Sequence, residues 1–269
     1  MILRAETTID WSTFPTGDGE PMAETETHRV QMNDLIFALD TLVAAVDRVY
    51  VGGNMLMYYN PASGLDHVSA DVFVTFGVAR GVRQKWETWR EGGVFADVVF
   101  EISSPSTIRE DLGPKMAKYA ALGVKEYYLY DPLKDLSPYL RGFKLVSGHY
   151  EPLVQLSDGM GYRSPMLGTT LRVRGDWLRV IDPESGEPLL IPAELAAAHR
   201  EAEERAAYQT ERARRESERA QSEAQRAQSE AQRAYSEAER ADREALARQD
   251  AEAALREALA ELARLRGNA

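Results

Sequence analysis

The chain has no cysteine among its 269 residues, which excludes disulfides, thiolate zinc sites and thiol nucleophiles. Its four histidines, His28, His67, His149 and His199, are scattered without ligand spacing, so a histidine metal centre is not expected. No run of 18 apolar residues is present, and Met1–Trp11 lacks the apolar centre of a signal peptide. No glycine-rich phosphate loop, nucleophile elbow or dinucleotide fingerprint appears. Together these absences predict a cytoplasmic protein that does not enter a membrane.

Positive charge is also short. Lysine and arginine number 32 against 43 acids, a net charge of −11. Such a balance excludes coating nucleic acid by bulk electrostatics, but it leaves room for an enzyme with a local basic groove. The deficit is uneven. Residues 193–269 hold 17 acids, 14 arginines and 24 alanines, with no lysine or proline and no glycine before Gly267, so the head carries −8 of the total. All 12 prolines, 18 of 19 glycines and all four tryptophans lie in 1–192. The composition predicts an irregular lead-in over 1–20, a globular domain over 21–192 and a long polar tail over 193–269.

Within the head, Met32, Leu35, Ile36, Leu39, Leu42, Val43 and Val46 recur at helical steps and predict a helix over Thr27–Asp47. Val49–Tyr59 reads as a bent strand or a hairpin, interrupted by Gly52-Gly53-Asn54. Strands follow at Asp71–Phe76 and Asp97–Ile102, separated by a connection over Gly77–Gly93 expected to be partly helical. Thr107-Ile-Arg-Glu110 has capping-box spacing and opens a helix ending at Gly123, with Pro114 marking a kink or a restart. Glu126–Tyr130 is a strand, and 142–191 alternates short β runs with turns. This order predicts an α/β fold: helix, three strands, helix and strand, then a β-rich extension and a long C-terminal helix.

Three carboxylates and a lysine stand out. Residues two apart on a strand share a face, so Asp97, Glu101 and Ser103 point the same way. If the strands of Asp71 and Glu101 are neighbours, their carboxylates converge on one hard cation, and oxygen ligands of this kind suit magnesium. On the helix, Asp111, Lys115 and Tyr119 fall at i, i+4 and i+8, one face. Each has a plainer reading: Asp71 as a turn residue, Asp111–Lys115 as a surface ion pair, Tyr119 as the edge of the core. Glu101 resists one, because a carboxylate after Val98-Val99-Phe100 is expected to be buried and then needs a partner or a metal.

These residues fall in four motifs: Val68-Ser-Ala-Asp71-Val-Phe-Val, Asp97-Val-Val-Phe-Glu101-Ile-Ser-Ser-Pro-Ser-Thr107, Asp111-xxx-Lys115-xxx-Tyr119 and Gly123-Val-Lys-Glu126-Tyr-Tyr-Leu-Tyr-Asp131-Pro. In this order they resemble the Uma-two family of endonucleases, within the PD-(D/E)XK restriction-endonuclease-like superfamily, over roughly residues 21–190. The resemblance implies a restriction-endonuclease-like core and cleavage of phosphodiesters, DNA first among substrates, dependent on Mg2+ with Mn2+ as substitute. It implies Asp71 and Glu101 as the metal-binding acids. Ser103 stands where the superfamily carries its lysine, and Lys115 on the next helix matches the relocated one. Glu24 or Glu26 matches the superfamily's further acid on the first helix, although acids there also favour the helix dipole. Ala70 replaces the usual proline before the aspartate. Arg80, Arg83 and Lys85 are candidates for guiding the substrate backbone. The alternative is a catalytically silent binding or regulatory module on the same fold.

The tail lacks helix breakers from Ala193 to Arg266 and predicts one continuous helix. Its alanines at 220, 224, 227, 231, 234, 238, 241 and 245 step by four and three, the seam of a coiled coil, which continues to Leu255, Leu259 and Leu262 across Arg248 and Glu252. A homo-oligomer through 193–266 is therefore expected, against a lone helix held by pairs such as Glu211–Arg215.

Overall fold

The computed structural model describes Phe14, Pro15 and residues 25–266. Apart from those two residues, the expected lead-in over 1–20 lies outside the described residues, as does Glu24. The chain divides into two compact units, Met1–Ala196 and Ala197–Ala269.

Helix α1 (Glu26–Leu42) begins at Thr25, whose hydroxyl accepts from the His28 N–H at 3.2 Å. Its apolar stripe is buried at Met32, Leu35 and Leu39. It stops at Leu42, short of the expected Asp47: the Val43 N–H makes the last helical bond, to Leu39, and the Ala44 and Val46 N–H groups then bond only three residues back, to Thr41 and Val43.

The Val49–Tyr59 segment is neither one bent strand nor a hairpin. It holds two strands, β1 (Val49–Gly52) and β2 (Met55–Tyr58), that join different sheets. Strand β2 pairs with β3 (His67–Ala70) and, in parallel, with β5 (Trp86–Glu87). Strand β1 pairs antiparallel with β4 (Val72–Phe76). Gly53 and Asn54 make the corner: a Cβ on Gly53 would stand 2.2 Å from the Asp71 carbonyl oxygen, and Asn54 takes a φ of 49°. Asp71 thus sits at the break between β3 and β4 rather than inside a strand.

The 77–93 connection contains no helix. Gly77, Gly92 and Gly93 adopt φ values of 83°, 72° and 83°, left-handed conformations that a right-handed helix does not admit, and only β5 interrupts the loop. Strand β6 (Val98–Ile102) pairs antiparallel with β4 and parallel with β7 (Glu126–Tyr130). A parallel pair needs a crossover, supplied by the helical segment between β6 and β7. That segment comprises α2 (Ile108–Glu110), a π turn (Asp111–Lys115) and α3 (Met116–Ala121). Pro114 does not restart the helix but lies inside its π turn. The widened turn takes up the ring and the missing N–H. The capping box does not form either: the Thr107 hydroxyl accepts from the Ser104 N–H, and no side chain caps α2.

Strands β8 (Leu140–Val146) and β9 (His149–Pro152) complete a six-stranded sheet in the order β1-β4-β6-β7-β8-β9. The predicted order of helix, three strands, helix and strand is thus α1, β1, β4, β6, α2–α3 and β7, with β2, β3 and β5 set aside in a second sheet. Alternation along β6 divides the core. Val98, Phe100 and Ile102 pack with Leu35 and Leu39 of α1, while Val99 packs with Tyr119 of α3 and Tyr127. A third sheet, β10 (Gly161–Ser164), β11 (Thr169–Arg174) and β12 (Trp177–Ile181), closes over α1. Fully buried Gln31 fastens it, donating to the Leu178 carbonyl at 3.0 Å and accepting from its N–H at 2.8 Å.

The tail is one helix, α4 (Pro192–Arg266), 75 residues long, with proline in its first turn. The ion pairs Glu211–Arg215, Glu239–Arg243 and Glu252–Arg256 all form, at 2.9, 3.2 and 3.4 Å. At such exposure they contribute little. No described helix is long and apolar enough to cross a membrane.

Candidate functional site

The pairing of Val72 with Phe100 places Asp71 opposite Glu101 at the ends of β4 and β6. Asp71 Oδ2 accepts from the Ile102 N–H at 2.6 Å and faces His28 Nε2 at 3.0 Å. Glu101 lies on the α3 side of β6, opposite in direction to Phe100, and is 1 % exposed. Its two oxygens are both engaged: Oε1 accepts from the Tyr119 hydroxyl at 2.7 Å and Oε2 from Lys115 Nζ at 3.0 Å. Asp111, buried on the π turn, takes the Ser103 hydroxyl at 3.0 Å on Oδ2, and its Oδ1 lies 3.4 Å from Lys115 Nζ. That Oδ1 has the ammonium beside it but accepts no hydrogen bond.

The electrostatics follow from burial. Glu101 is pushed well above the usual carboxylate range, first by desolvation and then by Asp71, with Lys115 opposing. Asp111 is raised for the same first reason. Burial alone would lower Lys115, but Glu101, Asp111 and Asp71 outweigh it and hold the ammonium charged. The Tyr119 phenol rises through burial and the facing Glu101, so it remains a donor. Three carboxyl groups and one ammonium thus share a cleft of about 540 Å³ lined by His28, Asp71, Glu101, Ser103, Asp111 and Lys115.

The structure thus brings together Asp71, Glu101, Lys115, Ser103, Asp111 and Tyr119. It does not bring in the basic trio. Arg80 pairs with Asp40 and the Val43 carbonyl, Arg83 with Glu91 across the Tyr50 ring, and Lys85 reaches the Phe14 carbonyl and Glu87. None of the three lines the cleft. Asp97 shares the strand face but sits at the other end of β6, holding the Phe76 N–H and Lys125. Glu26 is exposed in the first turn of α1. His28 is the residue that sequence reasoning passed over. No local signal marks it, because its partner Asp71 lies 43 residues away. Among the described residues, no three or more His, Cys, Asp and Glu side chains form a metal cage by themselves.

The profile of the Uma2 family, described as "Putative restriction endonuclease", matches residues 11–174. The chain belongs to that family. No curated protein matches it. A solved structure described as "a putative nuclease belonging to DUF820 from Anabaena variabilis ATCC 29413" is 13 % identical, with a TM-score of 0.41 over 55 % of this chain and 77 % of that one. The Uma2 match ends at Arg174, before β12, whose Leu178 and Val180 are core residues.

Proposed function

We propose that this chain is a metal-dependent endonuclease that hydrolyses phosphodiesters, DNA in the first instance, with Mg2+ or Mn2+ held by Asp71 and Glu101. The observation that carries the reading is the convergence of three carboxyl groups, Asp71, Glu101 and Asp111, with a single ammonium in one cleft. Family membership points the same way. The residues suit a hard divalent cation. Their donors are carboxylate oxygens, Asp71 and Glu101 stand opposite one another on paired strands, and magnesium needs only one or two protein carboxylates beside its waters. Such an ion, when bound, lowers the pKa of water and offsets charge on the phosphate.

The chain's own groups supply the rest. The Ile102 N–H and His28 fix Asp71 from two directions, and Tyr119 holds the far oxygen of Glu101. Lys115, kept protonated, serves as a cation that orients the attacking water or stabilises negative charge building on the phosphate; its charge disfavours a role as base. The test is nicking of supercoiled plasmid and cleavage of single-stranded DNA with Mg2+ or Mn2+. Wild type is expected to cut and an Asp71→Ala/Glu101→Ala protein is not. Equal, background-level cleavage by both proteins overturns the reading.

The tail belongs to the same proposal as a self-association element. Leu255, Leu259 and Leu262 are 61, 57 and 52 % exposed on α4, and they continue the heptad seam of alanines. A second copy of the helix is the occupant that this register suits.

A further inference from the structure

Ser103, the residue after β6, stands where the superfamily's lysine is expected, and its hydroxyl is not idle. It donates to Asp111 Oδ2 at 3.0 Å, and Asp111 in turn presents Oδ1 to Lys115 at 3.4 Å. Asp111 is held at its main chain as well, since its carbonyl accepts from the Tyr127 hydroxyl at 2.9 Å. It is 2 % exposed, so this is not the solvated pair that i, i+4 spacing alone suggests. A buried acid in mid-helix costs stability unless something needs its charge. What needs it is the lysine: four methylenes with free rotation, whose ammonium must stay beside Glu101 rather than swing into the cleft.

From this geometry, and resting on the nuclease reading above, we infer that Asp111, anchored by Ser103, is a positioning residue that fixes the Lys115 ammonium at the cleft wall. Glu101 holds the ammonium at 3.0 Å from the strand side and Asp111 holds it from the helix side. The π turn carries both Asp111 and Lys115, so its widened geometry and the clamp form one local device. The position after β6 that lacks the lysine thereby tethers the ammonium instead of supplying it.

Asp111→Asn separates this role from a structural one, because asparagine keeps the shape and can still accept from Ser103 but lacks the charge. In steady-state plasmid cleavage by the full chain with Mg2+, kcat should fall about tenfold to a hundredfold, the scale of a misplaced reacting group. KM for plasmid and Mn2+ affinity by calorimetry should stay within about twofold. Ser103→Ala should lower kcat in the same pattern, and Ser103→Thr, which keeps the hydroxyl, should restore it. An unchanged kcat in Asp111→Asn, or kcat, KM and Mn2+ affinity all deteriorating together, overturns the assignment.

Crystal structures of wild type and Asp111→Asn supply an arm independent of activity. Lys115 Nζ should sit on Glu101 in the first and leave it in the second. An ammonium that stays in place without the Asp111 charge overturns the inference. Should wild type cleave no nucleic acid, the nuclease reading falls, while this crystallographic comparison still decides the clamp.

Discussion

Gly53 has no side chain and takes no part in the cleft chemistry, yet its replacement tests how the site is built. A Cβ there would stand 2.2 Å from the Asp71 carbonyl oxygen and 2.8 Å from Ile36 Cδ1. The isoleucine tip can rotate away. The carbonyl belongs to the backbone of a site residue, and it also accepts from the Asn54 N–H at 3.1 Å. Restoring van der Waals contact requires the two chains to part by about 1 Å, and overpacking of this kind costs roughly 1–3 kcal/mol. The displaced backbone carries the Asp71 carboxylate with it. A shift near 1 Å in a reacting group lowers rates by about a hundredfold. Gly53→Ala should therefore lose that stability in urea denaturation, keep its circular dichroism at 20 °C, and bind Mn2+ more weakly by calorimetry. Full stability and unchanged Mn2+ binding in Gly53→Ala would refute the claim that close backbone approach sets Asp71.

Lys115→Ala should abolish cleavage while retaining fold and Mn2+ binding. Lys118→Ala, whose ammonium only reaches the His67 carbonyl at 3.3 Å, should matter little, and equal tolerance of both would remove Lys115 from the reaction. Glu101 has its carboxyl raised above the ordinary 4.5 by burial and then by Asp71, so folding shifts it toward proton uptake. The stability it contributes is complete below about pH 4.5 and is lost as pH rises through the raised folded value. Urea denaturation in chelator at pH 5 and pH 8 should show wild type weakening relative to Glu101→Gln, and parallel pH profiles would contradict this. Sedimentation of wild type at tens of micromolar should give a dimer or larger species that Leu255→Glu/Leu259→Glu dissociates. A wild-type monomer would leave α4 a lone helix.

The parts legible in the sequence carry a local signature: the α1 stripe at helical steps, the continuous apolar middle of β6 and the breaker-free composition of the tail. The convergence of Asp71 and Glu101 was legible as a condition on neighbouring strands, and the β4–β6 pairing meets it. What escaped was set by tertiary context. The sheet switch at Gly52-Gly53-Asn54 depends on which partners β1 and β2 find, and no local pattern encodes that. The loop over 77–93 carries basic and aromatic residues that suggested a helix, but its glycines adopt left-handed turns, and its arginines pair with Asp40 and Glu91. His28 joins Asp71 across 43 residues, a separation invisible to any spacing rule. The π turn was hidden because Pro114 reads locally as a kink or a start, and a widened turn is a third answer.

The bond between Gln31 and Leu178 spans 147 residues, and this gives the order of synthesis a physical consequence. At about 5–20 residues per second, α1 waits roughly 7–30 s after leaving the ribosome before β12 exists to cover it. Throughout that interval Leu35 and Leu39 can meet β4 and β6, but the amide of Gln31 has no permanent partner. The nascent head is therefore expected to dwell as an open intermediate with its cleft residues already translated and its first helix incompletely covered. Truncation at Arg174, where the family match stops, would make that transient state permanent.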